Sequence, residues 1–535
     1  MPTLRCGSAL RLLRRLLVAS AFAFAAAAAF GQAPAPTEPP RFEIRRFAVE
    51  GNTVLSTDTV EAVLAPHTGG RRSFADVQAA VDDLQQTYAR TGFGAVQVSL
   101  PEQRLADGVV RIVVVEPPLR AVTIEGNSHF DSAGILRALP ALRRGATPNT
   151  EELAAQIRLA NENPARRLSV DLKREPGGSI EAAVTVRDDK PWKFGLVLDD
   201  TGTPSTGRLR TGVFFQHANV AERDHVLTTQ YVTSLKHPDD VTIGGLNYRV
   251  PIPALGDAVD VYAAHADVDS GVVSELFTVR GRGSVLGVRY LRNLPPTARL
   301  QHRLTVGYER RTFDNRVGTI DGGEELLPDI TVHPANVGYA ATWTGERLQL
   351  ELGTTLVRNI AGHSNGGSAD FEAARTGARA GYSLLRWTLG IAVPLPGGWQ
   401  LRLAGDGQAT RDALVQGEQF GIGGHDSVRG FLEREISNDR GWRAGIELRS
   451  ADFGARLGSG VSAQALVFHD QGRVSRNHAL PGEGGSTSIG SVGAGLRLSI
   501  APSMNARLDL AHVTRGVGSR VRGDERAHFS VGVVH

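Results

Sequence analysis

The sequence predicts two copies of a small α+β module followed by a transmembrane antiparallel β-barrel of about 16 strands. "FAVEGNTVL" at 47–55 recurs as "VTIEGNSHF" at 122–130, which aligns Gly51 with Gly126 at an offset of 75. From about residue 191 onward helical periodicity is absent, and short alternating stretches recur between Gly, Asn and Asp turns. This later part contains no run of 18 apolar residues. Helical membrane spans are therefore excluded there, whereas barrel strands, which expose only every second residue to lipid, are not.

The first 31 residues have the plan of a secretory signal peptide. Four arginines lie within the first 15 residues, and an apolar, alanine-rich run follows at 16–30. Cleavage is predicted after Gly31, with Ala33 as the alternative. A run of this length is shorter than the roughly 20 residues that span a bilayer, which disfavours a membrane-anchoring helix. Residues 32–41, "QAPAPTEPPR", are predicted to form an extended proline-rich linker.

Charge and cysteine content exclude several classes of function. The chain has 59 basic and 56 acidic residues, and removal of the four arginines of the predicted signal leaves the two nearly equal. This balance gives no indication of a nucleic-acid partner. Cys6 is the only cysteine and lies in the predicted signal, so no disulfide or thiolate metal site is expected. No H-E-x-x-H pattern occurs, and neither a metal nor another cofactor is predicted.

The first module is predicted at 42–117, with the order β-α-α-β-β. An apolar series at helical spacing extends from Phe74 to Tyr88 and follows Ser73, a residue type favoured at helix N-caps. Alternating apolar residues at 96–100 and at 110–114 then predict two strands.

The second module is predicted at 118–190 and repeats this order. Apolar residues at 153 and 157 indicate a helix, and alternation at 168–172 and 182–186 indicates the two strands that follow.

Residues 191–535 are predicted to form the barrel. Stretches such as "VLTTQYVTS", "RLQHRLTVGYE", "ERLQLELGTTL" and "GWQLRLAGDG" alternate polar and apolar residues, as expected for a wall between lipid and water. A soluble β-sandwich also shows this alternation. Strands of about 10 residues with their connections would fill the segment with roughly 16 strands, a number that encloses an aqueous lumen.

Two short matches to catalytic or nucleotide-binding patterns are interpreted as chance. "GHSNG" at 362–366 fits the G-x-S-x-G nucleophile elbow with Ser364 as nucleophile, but it lies in a glycine-rich stretch between predicted strands rather than between a strand and a helix. "GSVGAG" at 490–495 approaches a dinucleotide fingerprint without a βαβ unit.

The mature sequence resembles the two-partner secretion transporters, the outer-membrane exporters of haemolysins and filamentous adhesins. Residues 161–192 are similar to the end of that family's second POTRA module, and residues 195–213 to its first barrel strands. The most specific stretches are "GGHDSVRGF" and "FHDQG". They match a V-R-G-[YF] motif on a loop folded into the lumen, here around 418–440, and an F-x-D-x-G motif on the barrel wall, both shared with relatives that insert outer-membrane proteins.

This resemblance implies a pairing inside the barrel. Arg429 would bind Asp470 through the bidentate, charge-assisted hydrogen bonds that guanidinium favours. Gly430 would permit the backbone turn, and Phe431 and Phe468 would pack beside the pair. An exposed arginine in an ordinary loop is the alternative. The predicted site residues are Val428, Arg429, Gly430 and Phe431 on the lumen loop, and Phe468, Asp470 and Gly472 on the wall.

The function that the resemblance implies is export of a partner exoprotein across the outer membrane of a Gram-negative bacterium, with the POTRA modules in the periplasm and no enzymatic activity. The expected partners are a secreted exoprotein of the two-partner type, outer-membrane lipid and the barrel-assembly machinery, and the chain is expected to be a monomer. The alternatives are an insertase for other barrels, a surface esterase using Ser364, and a passive porin.

Two features depart from the family pattern. The proline-rich linker cannot supply the plug helix found ahead of the first module in well-known members, so plugging by that device is not expected. The sequence ends on His535, where the family usually has an aromatic residue.

Overall fold

The computed structural model describes residues 41–104, 107–267, 282–314, 328–518 and 520–535. The predictions of a signal peptide at 1–31 and of a linker at 32–41 lie outside these residues, apart from Arg41. The chain divides into two compact units, one extending to Glu116 without Thr91–Gly94, and one comprising those four residues and Pro117–His535. Among the described helices, none is both long enough and apolar enough to cross a membrane.

The first unit is a three-stranded sheet with two helices. Its elements are β1 (Phe42–Glu43), β2 (Arg46–Glu50), α1 (Thr57–Leu64), β3 (Arg71–Arg72), α2 (Phe74–Arg90), β4 (Gln97–Ser99) and β5 (Val109–Val115). The sheet order is β2-β5-β4, with β2 parallel and β4 antiparallel to β5, and β1 pairs separately with β3. Apart from that small pair, the order is β-α-α-β-β, as predicted.

The core of the first unit lies between α2 and the sheet. Val77, Leu84 and Tyr88 of α2 are buried, as their spacing predicts. Phe74 was also expected on this apolar face, but it is 60% exposed. The buried stripe of the helix therefore begins one turn later than the sequence pattern indicates.

The second unit begins with a module of the same order. Its elements are β6 (Leu119–Glu125), α3 (Ser132–Ala138), α4 (Thr150–Ala160), β7 (Arg166–Arg174) and β8 (Ile180–Asp188). The sheet order is β6-β8-β7, with β6 parallel and β7 antiparallel to β8.

The same backbone geometry requires glycine at the repeated position of both modules. Gly51 and Gly126 have φ angles of 86° and 84°. A Cβ atom would lie 2.2 Å from the carbonyl oxygen of Val114 at the first position and 2.3 Å from that of Val186 at the second. Only glycine fits such a left-handed backbone packed directly against a neighbouring strand.

The remainder of the second unit is a closed antiparallel barrel of 16 wall strands. The wall consists of β9 (Trp192–Asp199), β10 (Arg210–Val220), β11 (His225–Ser234), β12 (Ile243–Ile252), β13 (Asp257–Ala266), β14 (Gly283–Asn293), β15 (Leu300–Phe313), β16 (Ile330–Val332), β17 (Pro334–Thr344), β18 (Gln349–Asn359), β19 (Ser383–Pro394), β20 (Gln400–Ala409), β23 (Arg440–Arg449), β24 (Val461–Ser475), β25 (Ser486–Ile500), β26 (Met504–Arg515) and β27 (Glu525–Val534). Two further short strands, β21 (Phe420–Ile422) and β22 (Ile436–Asn438), lie between β20 and β23. β16 and β17 both pair with β15 and count as one wall strand, whereas β21 and β22 pair only with each other. Short 3-10 turns occur between some of the strands, and one α-helix, α5 (Ser368–Ala374), lies between β18 and β19.

The wall strands alternate between a lipid-facing and a lumen-facing row. On β15, the outward side chains Val306 and Tyr308 are exposed large apolar residues, whereas the inward side chains Arg303, Glu309 and Arg311 form hydrogen bonds and ion pairs. This is the pattern of a barrel with lipid outside and a polar interior. The four stretches singled out in the sequence all fall on wall strands, namely β11, β15, β18 and β20.

The second module and the barrel are joined by buried charge. Only three residues separate the end of β8 from the start of β9, so the second module lies at the end of the barrel where β9 begins. This end is called the module end, and the opposite end is called the outer end. Arg166, fully buried, binds both carboxylate oxygens of Asp224 in the β10–β11 turn at 2.8 and 2.9 Å. Glu162 accepts hydrogen bonds from Arg249 at 3.2 Å and from Arg303 at 2.5 Å. These contacts fix the module to several wall strands.

A carboxylate at the end of the last strand closes the glycine turn in each module. Asp188 accepts backbone N–H bonds from Ser128, His129 and Phe130 at 2.9–3.1 Å, and its side chain has no exposed surface. Glu116 accepts the N–H groups of the corresponding turn of the first module. Burial raises the pKa of Asp188, but the three N–H donors outweigh this effect and hold the pKa below its ordinary value.

We expect Asp188→Ala to destabilise the second module by about 1–3 kcal/mol, because three backbone N–H groups lose their charged acceptor. Because the pKa of Asp188 is lower in the folded than in the unfolded state, its stabilisation is complete above the unfolded pKa and is lost as the pH falls through the folded pKa. Hydrogen exchange of the amides at 128–130 measures both effects. Asp171→Ala, at an exposed aspartate on β7, is the matched control. Equal exchange in the two variants would contradict the role of Asp188.

Candidate functional site

The candidate site lies on residues 410–439, the connection between β20 and β23, which is called the lumen loop. The loop leaves the wall at the outer end, and β21 and β22 pair within it as a hairpin. Buried apolar side chains of the loop pack on the inward faces of β24, β25 and β26. The loop therefore lies inside the barrel, against one side of the wall.

Arg429, at the tip of the lumen loop, is bound to Asp470 on β24. Its Nε donates to one carboxylate oxygen at 2.6 Å and its Nη2 to the other at 2.8 Å, while its backbone N–H adds a bond at 3.2 Å. Both residues are almost completely buried, at 4% and 1% exposed. This bidentate geometry, with a backbone bond added, fixes the position of the loop tip as well as its charge.

Two further carboxylates face the same guanidinium. Nη1 of Arg429 donates to Glu447 on β23 at 2.9 Å and to Asp509 on β26 at 3.3 Å. Arg497 and Arg507 in turn bind Asp509, so the carboxylates are not left with an uncompensated negative charge. Each buried ion therefore has a partner, a condition that a low-dielectric site imposes.

The wall motif provides the surface beneath this arginine. Phe468, Asp470 and Gly472 are two residues apart on β24, and their side-chain positions therefore share one face of the strand. The guanidinium carbon of Arg429 lies 3.4 Å from the centroid of the Phe468 ring. At Gly472 a Cβ atom would lie 2.8 Å from Ile422 and 3.3 Å from Val428, so glycine leaves the space that the loop occupies.

The remaining motif residues of the loop have separate contacts. Val428 and Phe431 are fully buried in a cluster with Ile422, which also includes apolar residues of β24, β25 and β26. Phe468 belongs to a different apolar cluster, with Leu466 and Ala511. Gly430 has a φ of 97°, and its N–H donates to Nε2 of His528 on β27 at 3.0 Å.

The base of the lumen loop is held by two buried carboxylates that the sequence analysis did not identify. Glu418 is 0% exposed and binds Arg311 on β15 at 2.7 Å and Arg386 on β19 at 3.1 Å. Asp439, also 0% exposed, binds Arg375 in the β18–β19 connection through both carboxylate oxygens. The loop is thus fixed at its start, tip and end, each time by carboxylate–guanidinium contacts.

The sequence contains a signal for Glu447, but this signal can be used only when the register of the strands is known. Once Asp470 is taken as inward-facing, alternation along β24 and the pairing of Phe468 with Glu447 identify Glu447 as inward-facing too. Glu418 and Asp439 lie in a connection without periodicity, and their partners are 32 to 107 positions away. No pattern within the sequence indicates those contacts.

An internal cavity of about 1070 Å³ lies between the lumen loop and the wall. Arg429 and Asp470 line it, as do Glu351 on β18 and Ala404 on β20. Glu162 of the second module also lines the cavity, so it extends to the module end of the barrel. The Arg429 cluster therefore borders the interior space of the barrel.

The catalytic pattern at 362–366 has no catalytic geometry. Ser364 is exposed in the connection after β18 and lies on a turn between two residues with positive φ, His363 and Asn365. The "GSVGAG" stretch is an interior part of β25. Within the described residues, no group of three or more His, Cys, Asp or Glu side chains is arranged to hold a metal ion.

Two family models match the chain. The model described as haemolysin secretion/activation protein ShlB/FhaC/HecB matches residues 178–498, which is more than half of the chain. The model described as POTRA domain, ShlB-type, matches residues 42–117.

Similar proteins include outer membrane transporters named CdiB. The protein of Escherichia coli O6:K15:H31 (strain 536 / UPEC) is 23% identical over 423 residues, covering 76% of this chain and 68% of the relative. The protein of Dickeya dadantii (strain 3937) is 23% identical over 428 residues, covering 76% of this chain and 72% of the relative.

Solved structures show the same fold. CdiB from Escherichia coli superposes with a TM-score of 0.69 at 18% identity, and CdiB from Acinetobacter baumannii with 0.65 at 16%, each covering 100% of both chains. BamA from Haemophilus ducreyi, lacking POTRA domains 1–3, superposes with 0.51 at 14% identity over 92% of this chain and 100% of that one.

We expect Gly472→Val to displace the lumen loop without opening the barrel. The new Cβ atom would collide first with Ile422 of the loop, at 2.8 Å, and the carbonyl oxygen of Trp442, at 3.2 Å, belongs to a ladder between β23 and β24 that continues on both sides of this position. Protease cleavage within 410–439 should increase, while the inserted barrel keeps its heat-dependent mobility in gels. Gly532→Val is the control, since the nearest atoms to a Cβ there are 3.9 Å away. Normal protease resistance in Gly472→Val would contradict the packing role of this glycine.

Proposed function

The chain belongs to the haemolysin secretion/activation family of ShlB, FhaC and HecB, and from this premise we propose that its Arg429 cluster positions the lumen loop for export of the partner exoprotein. The protein is an outer-membrane transporter of two-partner secretion, not an enzyme. Its partner is an exoprotein of the two-partner type, and its modules of the POTRA kind precede the barrel.

The observation that supports the proposal is the burial of Arg429 among three carboxylates at the edge of the lumen cavity. A buried ion cluster is a weak source of net stability, because desolvation offsets most of the Coulomb attraction. It is a strong source of specificity, because removal of one partner leaves the other charges unpaired. Such a cluster suits a loop that must return to one position after each passage of cargo.

We infer that the second module contributes an edge for capture of the extended exoprotein. β7 is an edge strand of its sheet, with β8 on one side only. The N–H and C=O of Leu168 are bound by the side chain of Asn161, so the backbone groups of Leu168 point away from β8. Antiparallel alternation then gives Val170 and Leu172 the same direction. These positions can hydrogen-bond an added strand by β-augmentation.

The barrel implies two further partners, the lipid around it and the machinery that inserts it. The outward apolar row would contact outer-membrane lipid, and insertion would require the barrel-assembly machinery that accepts such chains. We propose that one chain is the working unit, because its barrel closes on itself and leaves no wall strand unpaired among the described residues. Assembly of other barrels is not proposed, because the family that matches is one of exporters.

We predict that Arg429→Ala inserts normally but reduces exported cargo per inserted transporter by at least about tenfold, since breaking a buried ion pair costs about 3–5 kcal/mol. Arg429→Lys should restore little, because an ammonium cannot bind both oxygens of Asp470. Asp470→Ala combined with Arg429→Ala should lose less than the sum of the two single losses in log export rate.

The control is Arg411→Ala, which removes an exposed arginine of the same loop. Export and insertion should both remain normal in this variant. If Arg429→Ala also exports normally, or if the two single losses are strictly additive in the double variant, the positioning role is wrong.

Capture at the β7 edge predicts that Val170→Pro weakens binding of the exoprotein's N-terminal segment, because proline removes an outward N–H group. Val170→Thr keeps that group and the β-branched shape, and it should bind normally. Titration of the full-length transporter in nanodiscs with the segment measures the two affinities. Equal affinities would exclude this edge as the capture surface.

A further inference from the structure

At the outer end, the lumen side of β15 and β18 is covered by residues 360–382, the connection between β18 and β19, which is called the outer cap. Its helix α5 and the residues that follow turn inward rather than away from the wall. Phe371 and Tyr382 of the cap are both 0% exposed. They belong to a buried apolar cluster formed by residues of the cap, the wall and the base of the lumen loop. The members are Phe313, Ile330, Val332, Val357, Phe371, Ala378, Ala380, Tyr382, Leu384, Leu414 and Val415.

The wall members of this cluster are the reason to regard the cap as a cover. Phe313 and Val357 lie on the lumen side of β15 and β18, in the same alternating rows as the inward residues Arg311 and Asn359. In an open lumen these side chains would meet water. They are instead 7% and 4% exposed, because the cap and the base of the lumen loop lie over them.

A polar clasp holds the cap in place. Arg375 of the cap binds Asp439 at the end of the lumen loop, with one bond at 2.8 Å, and donates to the carbonyl oxygen of Leu414 at 2.6 Å. It also donates to the carbonyl of Asn477, in the connection between β24 and β25, at 3.2 Å. Asp439 additionally accepts the N–H groups of Leu414 and Asn477. One ion pair therefore joins three connections at the outer end.

We propose that the outer cap is the exit gate of the pore and that release of the Arg375–Asp439 clasp opens it. The inference rests on the export function, since only a passing chain requires the gate to move. The cap is attached to β15 to β19 and to the base of the lumen loop, whereas the Arg429 cluster is attached to β23, β24 and β26. The gate can therefore open while the tip of the lumen loop stays bound.

The cap and the base of the lumen loop come together at Ala378 and Ala413, which form an isolated parallel β-bridge. Paired positions on adjacent extended segments are within the range that a disulfide spans. The only cysteine of the sequence is Cys6, so Ala378→Cys with Ala413→Cys, made together with Cys6→Ser, introduces one defined cross-link. Oxidation with diamide locks the gate, and reduction with dithiothreitol releases it in the same folded protein.

We expect oxidation of this double variant to reduce export by at least about tenfold and reduction to restore it, as for a motion that gates passage. The single-cysteine variants should be insensitive to both reagents. Ala444→Cys with Gln471→Cys, opposite each other on β23 and β24, is the matched control for a cross-link that does not involve the cap, and it should export in both states. In planar bilayers, Arg375→Ala should raise the resting conductance, and Arg375→Lys should restore the low value only in part.

Normal export by the oxidised cross-linked protein, once the disulfide is verified, would overturn the gate. Unchanged conductance in Arg375→Ala would overturn the role of the clasp. Absence of export in the reduced protein and in the unaltered chain alike would refute the export function instead, so the two failures are distinguishable.

Discussion

The structure depends on one constraint, which is that lipid offers no hydrogen bonds to a protein backbone. Every wall strand must therefore pair on both sides, and the sheet must close. Closure fixes the register of each strand, and register decides which side chains face inward. On β24 it places Phe468, Asp470 and Gly472 on one row, which is the row that the lumen loop meets. The polar interior is thus a consequence of closing the ladder.

That interior is held in order by charges rather than by a packed apolar core alone. The lumen loop is bound at Glu418, Arg429 and Asp439, each to oppositely charged groups of other elements. Apolar clusters around Phe431 and Phe371 fill the spaces between these points. Apolar contact is tolerant of small displacements, whereas a bidentate ion pair has one favourable geometry. The combination gives a loop that is well positioned without contributing greatly to stability.

Much of this arrangement could be predicted from the sequence, and the limits have physical causes. Local periodicity gave the order of both modules, and the repeat at an offset of 75 residues indicated that there are two of them. Alternation and turn spacing gave the barrel and its strand number. The pairing of Arg429 with Asp470 was expected only because two motifs resembled a known family. Glu418 and Asp439 were not expected, because a residue in an irregular segment carries no periodic signal that identifies a partner far away in the chain. Phe74 was wrongly predicted to be buried, because helical spacing does not indicate where the sheet that covers the helix ends.

The seam of the barrel has a consequence for the time course of folding. β27 pairs with β9 over residues 530–534 and 195–199, positions more than 300 residues apart in the chain. Every other wall pairing joins strands that follow one another among the wall strands. Loop-closure entropy makes the most distant contact the slowest to form, so the seam is completed last. Until then β9 and β27 both present unpaired edges, which are the usual sites of misassociation between chains. The nascent barrel is therefore most vulnerable to aggregation at the step just before it closes.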